Sequence, residues 1–164
     1  MSGALSTSAS RSVADPRAVR VLVARVGVER IALAVEAVAE VFEAPPISPL
    51  PLMPAGVLGQ CAWRAQVVPV LDPSVLFGIA PGMRNGRGVV LVMTRAAGPI
   101  ALLVDDVDEV LELHREALRD VPPGSDRDGR LVALLRTTDG LVAVIDTAAL
   151  LAAADATLQG EGRA

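Results

Sequence analysis

The sequence repeats itself, and that repetition restricts the fold more than any other feature. Residues 29–44 read ERIALAVEAVAEVFEA and residues 98–113 read GPIALLVDDVDEVLEL. At a constant offset of 69 (Ile31 to Ile100), Ile31, Ala32, Leu33, Val35, Val38, Glu40, Val41 and Glu43 each meet an identical residue. A second match follows in each copy: VVPVLDPSVLF at 67–77 and LVAVIDTAALL at 141–151. There Val68, Val70, Asp72 and Leu76 recur as Val142, Val144, Asp146 and Leu150 at an offset of 74 (Val68 to Val142), as a longer loop in the second copy would produce. Two matches in the same order point to a duplicated unit. The first copy spans 19–80 and the second 89–152, with a linker at 81–88 and flexible tails at 1–18 and 153–164.

Within each copy, local chemistry predicts short strands. The first opens with strands at 19–26 and 30–34 about a tight turn at 27–29, and the second with strands at 88–94 and 100–104. Gly27 and Gly98 suit these turns because glycine tolerates positive φ. Alternation is imperfect, as in VVLVM at 89–93, which indicates strands covered on both faces. Next, apolar residues fall three apart (35, 38, 41 and 104, 107, 110), predicting one helical turn that leads into a strand in each copy. Residues 45–54 hold five prolines in ten positions and must form an extended surface connector. Strand pairs at 57–61 with 66–71, and at 130–136 with 141–145, close the copies, the second about an Asp139-Gly140 turn. Short helices follow at 73–77 and 147–154, with Asp72 and Asp146 placed as N-caps. The loops at 80–88 and 122–129 are rich in Gly, Pro, Asp and Arg. Five short strands per copy imply a mainly β protein of two small barrels.

Composition narrows function by exclusion. The formal charge is −4, there is no Lys, and no basic block appears. Nucleic-acid binding normally needs clustered cations, and anionic lipid needs a polybasic segment; neither partner is expected. Cys61 is the only cysteine, so no internal disulfide forms and a reducing cytoplasm fits. No apolar run approaches the roughly 20 residues that span a bilayer. Residues 1–18 lack the continuous apolar region of a secretory signal.

Catalytic signatures are missing as well. One His (His114, among charged residues) and one Cys make no zinc constellation. No glycine-rich phosphate loop, nucleophile elbow or metalloprotease pattern occurs. The cluster Asp105, Asp106, Asp108 and Glu109 lacks the glycine and late glutamate of an EF-hand loop, and Val107 and Val110 interleave it; a solvated acidic face is the expectation. No catalytic residue, metal or cofactor is assigned.

The ordered motifs resemble the CheW-like family of chemotaxis coupling proteins. Residues 35–41 (VEAVAEV) follow the family's V-x-x-V-x-E-V pattern, the proline connector comes next, and residues 59–73 (GQCAWRAQVVPVLDP) resemble its G-x-x-N-L-R-G-x-x-x-P-V-x-D-L segment. Gly59, Arg64, Pro69, Val70 and Asp72 fit, LLVDDVDEVLEL in the second copy is similar too, and the likeness runs from about residue 19 to 152. It implies two five-stranded, SH3-like barrels and a non-enzymatic scaffold. Its implied partners are the regulatory domain of a CheA-type histidine kinase, at the barrel ends, and the cytoplasmic tip of methyl-accepting chemoreceptors, in the groove between barrels.

By matching positions, the resemblance implies that Val38, Glu40 and Arg64 contact the receptor. An exposed Val beside a carboxylate and an Arg supplies apolar burial with a polar rim. For Val38 core packing is the competing reading, for Glu40 a plain surface acid, and for Arg64 an ordinary turn residue. Trp63, the only Trp, is either an interface anchor or a core side chain. The family's Asn-Leu-Arg-Gly is Ala62-Trp63-Arg64-Ala65 here, and losing the glycine predicts a turn of different shape. The expected function is therefore a scaffold coupling chemoreceptors to a CheA-type kinase. The alternative within the family is a divergent regulator that binds only receptor or kinase, in a non-flagellar motility pathway. Outside it stand an acidic-cleft hydrolase and a small-molecule barrel, the latter disfavoured by the scarcity of aromatics.

Overall fold

A computed structural model describes residues 19–80, 87–126 and 129–160; the tail at 1–18 and most of the 81–88 linker lie outside the described residues. The first copy contributes β1 (Val19–Val26), β2 (Glu29–Ala34), β3 (Val38–Glu43), β4 (Val57–Trp63), β5 (Gln66–Leu71) and helix α1 (Pro73–Phe77). The second contributes β6 (Val89–Met93), β7 (Ile100–Val104), β8 (Asp106–Leu113), the two-residue β9 (Leu118–Arg119), β10 (Leu131–Thr137), β11 (Gly140–Ile145) and α2 (Thr147–Leu158).

The copies exchange strands. One sheet runs β8-β1-β2-β11-β10-β9 and the other β3-β6-β7-β5-β4. Thus β3 of the first copy lies on β6 of the second, and β8 of the second lies on β1 of the first. The expectation of one barrel per stretch of sequence gives way to two barrels that each draw on both copies. The cause is geometric: after the second strand of each copy the chain crosses over, and the third strand pairs with the opposite first strand.

The duplication persists in the register. A bulge at Ala39 between β3 and β6 has its counterpart at Asp108 between β8 and β1. A bulge at Leu58 in β4 is matched by one at Val132 in β10. Each sheet is also joined by one parallel pair, Val70 with Ala101 in one and Val144 with Ala32 in the other. Bulges add local twist and bend the bulged strand, as closing so small a barrel demands.

Three apolar clusters follow from this plan. Val21, Val23, Ala32, Leu135 and Val142 fill one barrel; Val68, Val70, Val90, Val92 and Ala101 fill the other. The largest, with Ile31, Leu33, Leu71, Leu91, Met93, Ile100, Leu102 and Leu150, lies where the two sheets meet. All of β7 is buried, which explains why its sequence lacks alternation.

Several local expectations hold. The connector after β3 contains only an isolated bridge, Ser48 with Gln60. Gly59 (φ +144) makes that bridge fit, since a Cβ there would lie 2.8 Å from the Ser48 carbonyl carbon. Asp72 accepts a hydrogen bond from the Ser74 N–H at 2.9 Å, and Asp146 from the Ala149 N–H at 3.2 Å. Two expectations change. A single 3-10 turn, Val35–Ala37, precedes β3, but in the second copy the chain passes straight into β8. There the Asp105 carboxylate accepts the Gly27 N–H at 2.6 Å and the Asp105 N–H donates to the Arg25 carbonyl, holding the segment extended. The second helix runs to Leu158 and not to 154. Its Ala-rich sequence favours helix, Ala154 is buried in the central cluster, and Asp155 pairs with Arg95. The first helix instead stops at Gly78, in the left-handed conformation.

Candidate functional site

The five-stranded sheet has β3 and β4 as its edges, and the sequence-derived site lies where they approach. On β3, the Ala39 bulge sets Val38 opposite Met93 and Glu40 opposite Val92. Residues directly opposite in an antiparallel pair share a face. Val38 therefore packs, half-buried, against the cluster between the barrels, whereas Glu40 sits on the Val92 face at the barrel mouth. The core reading of Val38 accounts for much of its side chain.

Across the mouth stands the β4–β5 turn. Trp63 pairs with Gln66, leaving Arg64 and Ala65 as a two-residue turn with φ of 48° and 61°. These are left-handed values of the kind a tight hairpin turn demands. The missing glycine has not removed the left-handed geometry; two ordinary L-residues adopt it. Trp63 packs half-buried against Val68, Val70 and their neighbours. The Arg64 guanidinium lies over the indole, 4.8 Å from the ring centroid, a cation–π geometry. Its Nη2 donates to Glu40 Oε1 at 2.9 Å. Glu40, Trp63 and Arg64 thus form one cluster bridging both sheet edges, with Val38 two positions away on the inter-barrel side. Cys61, further along β4, is buried, and burial pushes its thiol pKa up.

The duplicated copy offers an internal comparison. The counterparts of Val38, Glu40 and Trp63 are Val107, Glu109 and Thr137. There Arg30, in β2, donates to Thr137 Oγ1 at 3.1 Å and pairs with Asp108 at 3.1 Å and Glu109 at 3.5 Å. Arg25 adds pairs to Asp106 at 2.9 Å and Asp108 at 3.1 Å; the hydrogen bond it donates to Asp106, then the charges of both acids, raise its pKa. The Arg30 side chain is only 14% exposed. Arg64, by contrast, is 64% exposed, because the counterpart of Arg30 in the other barrel is Pro99 and the cation comes from a surface turn. One of two related places is filled from within; the other is open.

Asp106, Asp108 and Glu109 lie on an exposed face, as expected, but that face is ion-paired with Arg25 and Arg30. No signal within either copy reveals it, because the acids and their arginines belong to different copies and meet only through the strand exchange. Among the described residues no group of His, Cys, Asp and Glu could hold a metal ion, and no helix is long and apolar enough to cross a membrane.

Comparison with known proteins follows the same architecture. A model of the CheW-like domain matches residues 20–155. The chain belongs to the CheW-like family. The chemotaxis protein CheW of Rhizobium meliloti (strain 1021) is 33% identical over 102 residues, 62% of this chain and 64% of that protein. A probable chemotaxis protein CheW of Rhizobium etli is 28% identical over 98 residues, 60% of this chain and 63% of its own. The chain thus aligns with slightly under two thirds of the length of these curated relatives. The crystal structure of the scaffolding protein TtCheW from Thermoanaerobacter tengcongensis superposes with a TM-score of 0.70 at 21% identity, covering 83% of this chain and 89% of that one. The two SH3-like CheW barrels are accordingly the fold here.

Proposed function

We propose that this CheW-like chain couples the cytoplasmic tip of a methyl-accepting chemoreceptor to the regulatory domain of a CheA-type histidine kinase. The receptor docks at the Val38, Glu40, Trp63 and Arg64 surface. The observation that carries this reading is the contrast between the two barrels. Arg30 fills one site internally, while the related site presents a turn-borne, largely exposed Arg64 beside Glu40 and an aromatic ring. A half-buried apolar floor with a charged rim is what a specific interface requires. Nothing in such coupling needs covalent chemistry: signals pass as binding free energy and geometry. The protein works in the cytoplasm and reaches the membrane only through receptor arrays.

The experiment is capture of the receptor tip and of the kinase domain by wild type and by Arg64→Glu. Charge reversal removes the pair with Glu40 and sets two carboxylates together. Receptor capture is expected to fall about tenfold, because like charges brought together at an interface cost binding free energy, with kinase capture retained. Loss of the kinase with the receptor kept would assign the surface to the other partner. The alternative, a divergent regulator that binds only the receptor or only the kinase in a non-flagellar motility pathway, predicts that wild type captures one of the two alone.

A further inference from the structure

The β4–β5 turn combines two unfavourable features that elsewhere among the described residues occur only singly, at Leu52 and at Arg95. Arg64 and Ala65 hold positive φ without being glycine, a conformation that crowds Cβ against the next carbonyl. The Trp63 indole Nε1–H is shut off from solvent with no acceptor among the described residues, although buried donors are nearly always paired. Covering that ring is a guanidinium which uses only Nη2 towards Glu40. Backbone strain and an orphaned donor at one surface turn point to a second state in which both are relieved.

We propose that Trp63 is a specificity-determining anchor. On docking, the β4–β5 turn relaxes, the indole swings from the edge of the barrel interior into the interface, and its N–H is donated to a carboxylate on the partner's helical tip. The acceptor is a carboxylate because the indole that carries the donor is stacked under the Arg64 guanidinium, so an anion reaching this ring meets a cation as well as an N–H. Trp63 starts half-buried at the last position of β4, packed against the apolar cluster that includes Val68 and Val70. This inference rests on the receptor-docking reading, and its test separates the two.

Trp63 is the only Trp in the chain, so fluorescence of the full-length protein reports this ring alone. The probe is a receptor-tip helical hairpin that itself lacks Trp. Saturation with the hairpin is expected to shift the emission maximum and change its quenching by acrylamide. Trp63→Phe, which keeps a ring but no N–H, is expected to bind the hairpin about tenfold more weakly, the worth of one charge-assisted hydrogen bond. Its thermal stability should hold or rise, since an unpaired buried donor is gone. Trp63→Leu gives the same comparison should the Phe variant pack poorly. Wild-type affinity in both variants, or unchanged emission at saturation, with Arg64→Glu still defective, would overturn the anchor and leave the docking reading intact. Full hairpin binding by Arg64→Glu would overturn the docking reading first and the anchor with it.

Discussion

Ala65 shows what a single residue can reveal. A methyl group at φ 61° sits where glycine is at ease, and left-handed backbone costs an L-residue roughly 1–2 kcal/mol. Glycine removes that strain but adds freedom to the unfolded chain. Ala65→Gly is therefore expected to raise the unfolding free energy by about 0.5–1 kcal/mol, measurable by urea denaturation with an unchanged m-value. At this scale the sequence was partly legible. Motif matching singled out Val38, Glu40 and Arg64, and Trp63 stood out as the only Trp; Glu40, Trp63 and Arg64 do lie together, and Gly59 held the place its close approach to Ser48 requires. The stacking of Arg64 on Trp63 was not legible, because it depends on how a two-residue turn twists, which no spacing encodes.

At the level of strands, the decisive feature is the fastening of β8 onto the β1–β2 hairpin. Asp108 stands in a bulge and bridges Arg25 and Arg30 at 3.1 Å each. Its removal leaves the mostly buried Arg30 with only Glu109 and Thr137 to meet. Asp108→Ala is expected to lower stability by about 1–2 kcal/mol, more than an exposed pair contributes. Amide exchange should speed first along Asp106–Leu113. Strand existence and turn positions could be read from runs of Val and from Gly27, Gly98 and Asp139-Gly140. The ends of elements could not. The same three-residue apolar spacing became a 3-10 turn before β3 and extended chain before β8, since tertiary hydrogen bonds from Asp105 outweighed local pattern. Likewise Arg95, remote in sequence, decided how far α2 extends.

For the molecule as a whole, strand exchange couples the copies. Separated, a fragment holding residues 1–80 would keep β3 without β6, and one holding 81–164 would keep β8 without β1. Each would expose an unpaired edge and half of the central cluster. Neither fragment alone is expected to show a cooperative thermal transition, while the two mixed or co-expressed should co-purify and regain one. Independent melting of either piece would contradict the interlocked arrangement. The repeat announced two similar units, but repetition alone does not say which copy's strands lie side by side; that depends on three-dimensional crossing of the chain.

The exchange also sets how the protein can transmit load. The chain passes between the barrels at only two places, β2 to β3 and β7 to β8, and the seam is otherwise held by the central apolar cluster. Hinging the barrels apart would wet that cluster, so hydrophobic burial, and not a backbone ladder, fixes the angle between them.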